Sequence, residues 1–110
     1  MEKVEKDGMV AVLYSPNFGA GWSTWQNDSH AKVLMFHPKI VNLVETNNRE
    51  EITEGLCREI LGLKEDEYVC VLGADDLEIA WIKKGMQFKI NEYDGAESIH
   101  IIGYREYNEA

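Results

Sequence analysis

Between residues 68 and 102 apolar side chains fall at every second position within successive segments, and only an extended chain has that period. Leu77, Ile79 and Trp81 point one way from a strand over 77–82, and Glu78, Ala80 and Ile82 point the other. Phe88 and Ile90 alternate with Gln87, Lys89 and Asn91 in the next strand, and 68–72 reads as one more. Gly73-Ala74-Asp75-Asp76 and Lys83-Lys84-Gly85 supply turns. Asp94-Gly95 is a hairpin signal between Tyr93 and a closing strand over 97–102. Strands joined by turns this short run antiparallel.

The first half of the chain has another rhythm. Met9-Val10-Ala11-Val12-Leu13-Tyr14 is an unbroken apolar run, which reads as a central strand buried on both faces. Pro38 suits the first position of a helix, and Ile40, Val41, Leu43 and Val44 form its inward stripe, ended by Asn47-Asn48. Asn48 with Glu51 forms a capping box for a second helix, with Ile52, Leu56, Cys57 and Ile60 inward and Gly62 at its C-terminal cap. Residues 30–36 are ambiguous between a strand and a short turn of helix and are read as irregular. The order strand, loop, helix, helix, strands gives an α+β domain, a mostly antiparallel sheet covered on one face by a pair of short helices. A chain of 110 residues is expected to form one domain, with 1–8 and 105–110 frayed.

Totals narrow the function. The formal charge of −9 repels a phosphate backbone, and the 11 basic residues are scattered, so neither DNA nor RNA is expected as a partner. No apolar run is long enough to cross a bilayer, no membrane partner is expected, and the charged start lacks the apolar core of a leader, so a cytoplasmic location is expected. Cys57 and Cys70 read as buried free thiols rather than a disulfide.

Residues 15–28 combine backbone freedom, aromatic rings and hydroxyls more densely than any other stretch. Pro16, Gly19 and Gly21 exclude regular structure and let the main chain approach another group closely. Read as a nucleotide pocket, Trp22 or Trp25 stacks on a base, Gly19 and Gly21 present N–H groups, and the Ser23 and Thr24 hydroxyls bind phosphate or ribose. The competing reading has both tryptophans anchoring the loop in the core and the glycines serving only tight turns. No Gly-x-Gly-x-x-Gly or Walker pattern is present, so neither hydride transfer nor nucleoside triphosphate hydrolysis gains support, and no cofactor is expected. Asp75, Asp76, Glu78, Asp94 and Glu97 are explained by turn chemistry, and His30, His37 and His100 lack ligand spacing; no metal site and no catalytic set is expected. Arg49, Arg58 and Arg105 are read as solvated surface residues.

The run Val10-Ala11-Val12-Leu13-Tyr14-Ser15 followed by Phe18-Gly19-Ala20-Gly21-Trp22-Ser23-Thr24-Trp25 resembles a family of small, mostly uncharacterised proteins of phages and prophages. Asp75-Asp76-Leu77-Glu78-Ile79, Glu92-Tyr93-Asp94-Gly95 with Glu97-Ser98-Ile99, and Pro38-Lys39-Ile40-Val41 before Asn48-Arg49-Glu50 resemble it too. The chain departs from that pattern at Gln26 and His37, where Asn and Asp are expected. The resemblance implies a phage origin and, by analogy with small phage proteins outside the virion, a role in countering host defence. The candidate ligand-binding residues are therefore Phe18, Gly19, Ala20, Gly21, Trp22, Ser23, Thr24 and Trp25, joined by Tyr93, Glu97 and Ser98. The expected function is non-enzymatic capture of a small nucleotide, cyclic immune signals included, by a homo-oligomer. The alternatives are an acidic inhibitor of a host defence protein and a small phosphodiesterase-like enzyme using Asp75, Asp76 or Asp94.

Overall fold

A six-residue strand with no polar side needs cover on both faces, and the rest of the chain is arranged to provide it. The computed structural model of the protein describes residues 2–102 and 108–110. Strand β2 (Met9–Tyr14) lies between β1 (Glu5–Lys6) and β3 (Glu78–Lys83), antiparallel to both. Its side chains alternate between two cores. Ala11 and Leu13 pack in a cluster with Trp22, Leu34, Ile40, Val41 and Leu77, whereas Val10 and Val12 pack in another with Met35, Phe36, Ile82 and Phe88.

Three helices follow the loop: α1 (Asp28–Phe36), α2 (Pro38–Glu45) and α3 (Glu54–Leu61). The second sheet is formed by β4 (Gln87–Tyr93), β5 (Ala96–Ile102) and β6 (Asn108–Glu109) in the order β5-β4-β6. At the β4–β5 hairpin Tyr93 faces Ala96, and Asp94 and Gly95 both take the positive φ that a two-residue connection requires, 51° and 88°. The fold is α+β, with two small antiparallel sheets rather than one and three helices among the described residues rather than a pair.

Helix α1 occupies residues expected to be irregular, and its burial explains the missing signal. Leu34 enters one core while Met35 and Phe36 enter the other, so the helix is apolar on more than one side at its C-terminal end. A single stripe cannot appear in such a sequence. Helix α2 starts at Pro38 as expected, with the His37 side chain as cap: its Nδ1 accepts from the Lys39 N–H at 3.2 Å. Helix α3 begins later than its expected capping box. Asn48 leads into a 3-10 turn over Arg49–Glu51, and the Thr53 hydroxyl accepts from the Leu56 N–H to cap α3. Gly62, at φ 65°, ends it as expected.

Residues 68–72 form no strand, and Leu72 already belongs to a turn. Val69 and Cys70 are buried and Tyr68 and Leu72 exposed, and the peptide groups of Cys70 meet a side chain instead of a ladder: Gln26 Oε1 accepts from the Cys70 N–H and Gln26 Nε2 donates to its carbonyl. Both cysteines are free and buried, and burial pushes the Cys57 thiol up to about 11. The expected fraying does not describe the ends. Glu5 and Lys6 pair with Val10 and Met9, Asn108 and Glu109 pair with Phe88 and Gln87, and the Ala110 carbonyl accepts from the Gly85 N–H. Residues 105–107 lie outside the described residues.

Two outcomes follow from the caps. Thr53→Ala will destabilise the protein by about 1 kcal/mol in urea unfolding, and Asn48→Ala, which removes no helix cap, will cost less. Burial and the nearby Lys39 ammonium lower the His37 pKa, so the neutral, hydrogen-bond-accepting ring is favoured in the folded state. Its contribution is present above the unfolded value of about 6.5 and is lost as pH falls through the lower folded value. Unfolding midpoints measured from pH 7.5 downward will therefore drop less in His37→Asn than in the parent.

Candidate functional site

Pro16 and the glycines deny the loop a ladder of its own, so its backbone groups need partners from elsewhere. Glu97, on β5 and only 3% exposed, provides most of them. Its Oε1 accepts from the Ser15 N–H at 2.8 Å; its Oε2 accepts from the Trp22 and Thr24 N–H groups at 2.9 and 3.0 Å and from the Thr24 hydroxyl at 2.5 Å. The Glu97 N–H donates to the Ser15 carbonyl at 2.8 Å, which makes the contact reciprocal. Burying a carboxylate is costly unless it is hydrogen-bonded, and here both oxygens are. Each such charge-assisted bond stabilises by about 1.5–3 kcal/mol.

The loop also threads a slot without side chains. A Cβ on Gly95 would stand 2.4 Å from the Ala20 nitrogen, and one on Gly73 would stand 2.6 Å from the Gly21 carbonyl oxygen. Both residues must be glycine for residues 19–21 to lie where they do. Gly19 donates its N–H to the Asp94 carbonyl at 2.8 Å, and the Ser15 hydroxyl donates to the Ala20 carbonyl at 3.1 Å.

The expected site residues therefore divide. Trp22 is fully buried, with its indole N–H donated to the Leu34 carbonyl at 2.7 Å, so it anchors the core and is not the ring that stacks on a base. Glu97 faces the loop backbone instead of a ligand, and the Gly19 N–H is already bonded. Trp25 is 38% exposed. Phe18 and Tyr93, 70% and 78% exposed, meet edge to face with centroids 6.3 Å apart at the hairpin tip. Ser98 is exposed, its Oγ 3.3 Å from His100 Nε2. Within the loop Gly21 is buried and Ala20 half-buried.

Ser23 and Thr24 open onto a groove of about 440 Å³. Asp28, Lys32 and Met35 of α1 form one wall, and Lys89 and Ile90 of β4 form the other. A smaller cavity of about 220 Å³ adjoins it, sharing Lys32 and Asn108 and adding Lys3 and Phe36. The Thr24 hydroxyl proton is already given to Glu97 and Ser23 is buried, so the ammonium groups and apolar side chains are what can hold a flat ligand with an anionic group here. Sequence reasoning found Ser23 and Thr24 but missed the lysines, which are far apart in the chain and belong to no local motif.

The acidic candidates do not assemble. Asp75, Asp76 and Glu78 line a shallow groove with Arg49, where Asn17 Nδ2 donates to Asp76 Oδ1 at 3.1 Å; Asp94 sits at the hairpin tip and Glu97 under the loop. Among the described residues no three His, Cys, Asp or Glu side chains are grouped to hold a metal ion. Arg49 Nε donates to the Leu77 carbonyl at 2.7 Å and Arg58 Nη1 to that of Glu67 at 2.6 Å, so both guanidinium groups brace main chain. Arg105 lies outside the described residues. No helix among them is long and apolar enough to cross a membrane. No family model, curated protein or solved structure matches the chain.

Glu97→Ala will leave the buried Ser15 and Trp22 N–H groups without an acceptor and will cost at least about 2 kcal/mol in urea unfolding. Glu97→Gln keeps the shape but turns an NH₂ toward donors, and will recover only part of that loss.

Proposed function

We propose that this chain is a phage protein that binds and sequesters a small nucleotide without cleaving it. The groove beside Ser23 and Thr24 carries the reading: Lys32 and Lys89 supply positive charge to opposite walls, and Met35 and Ile90 supply apolar contact for a base. In a chain of formal charge −9, a lining that holds two lysines against the one carboxylate of Asp28 is a local exception that favours an anionic ligand. Asp28 adds an acceptor suited to a ribose hydroxyl or a base amino group. The phage origin rests on the resemblance of the Gly-Ala-Gly-Trp-Ser-Thr-Trp string. The exposed Phe18 and Tyr93 rings offer a contact for a second copy, so the working form is a homo-oligomer.

The test is a titration with AMP, cyclic nucleotides and ADP-ribose, read by the unfolding midpoint. A bound nucleotide at a hundred times its Kd stabilises by about 2.7 kcal/mol. Lys32→Ala will weaken binding about tenfold, and nucleotide recovered after denaturing the complex will be intact. No stabilisation by any of them at millimolar concentration overturns the reading.

A second reading is supported by the same exposed pair. Phe18 and Tyr93 beside Asp94 and Glu92 form an aromatic, acidic tip suited to a basic surface of a host defence protein. That binding would weaken steeply with salt and would be lost in Tyr93→Ala.

A further inference from the structure

We infer that the ligand carries two separate phosphate groups, the second held by Lys3; this rests on the groove being a nucleotide site. The two cavities share Lys32 and Asn108 and run along one side of α1, where Asp28, Lys32, Met35 and Phe36 follow at helical spacing. From Asp28 to Phe36 a helix advances about 12 Å, room for a phosphate at each end of a nucleoside. Ser23, Thr24 and Lys89 stand at the end near the start of α1, Lys32 in the middle, and Lys3 at the far end.

Lys3 is held in place there. Its Nζ donates to the Glu109 carbonyl at 2.7 Å and lies 4.4 Å from the centroid of the Phe36 ring. An ammonium group has three donors, so one bond to a carbonyl leaves two for phosphate oxygens. The contact also depends on β6, which pairs with the start of β4 and brings Glu109 to the groove. Lys3 and Glu109 are 106 positions apart, so the two ends of the described chain meet at this cavity. Glu109 lines the same cavity, and repulsion from its carboxylate opposes the attraction of Lys3 and Lys32 for a phosphate there.

The experiment is calorimetric titration of the full chain and of Lys3→Ala and Lys3→Arg with AMP and with adenosine 3′,5′-bisphosphate, two probes that differ by one phosphate. The bisphosphate is expected to bind the parent about tenfold more tightly than AMP, the factor that one charge-assisted hydrogen bond supplies. In Lys3→Ala that ratio falls to near one while AMP affinity is unchanged, and Lys3→Arg preserves the ratio. AMP binding with no gain from the second phosphate overturns this inference and leaves the nucleotide site standing. Binding of neither probe overturns both. A gain that survives in Lys3→Ala removes Lys3 from the site.

Discussion

A single buried carboxylate holds together the part of this protein that has no regular structure. Glu97 accepts from three backbone N–H groups and one hydroxyl of the loop, and its own N–H returns a bond to Ser15, where β2 ends. The second sheet is thereby tied to the first without a shared ladder. A carboxylate hydrogen-bonded at both oxygens does for this loop what a neighbouring strand does elsewhere.

Strand β2 and helix α1 set the rest. Because β2 is apolar on both faces, two cores form, and the C-terminal half of α1 reaches into both. Lys32 belongs to neither core, and with the core residue Met35 it lines the groove that Lys89 and Ile90 of β4 share. The opening beside Ser23 and Thr24 is thus a result of how the helix is wedged between the cores.

What the sequence made legible was local. The apolar run of β2, Pro38 at the start of α2, Gly62 after α3 and the Asp94-Gly95 turn each depend on neighbours within a few positions, and each is where its residues place it. Residues 68–72 have a strand-like composition, but the partner of Cys70 is the Gln26 amide, which no periodicity reveals. The indoles of Trp22 and Trp25 are equivalent on paper; only the Leu34 carbonyl, twelve positions from Trp22, decides which one goes inside. Glu97 meets Ser15 across 82 positions. Its carboxylate faces the loop backbone, a direction that no local pattern reveals.

The slot formed by Gly73 and Gly95 has a consequence for how this loop is specified. Its path at residues 19–21 is fixed by the absence of a methyl group on two residues that belong to other elements. The instructions for its shape therefore lie largely outside the loop itself. Grafted onto a foreign scaffold, the same fourteen residues would carry their composition with them and leave their conformation behind.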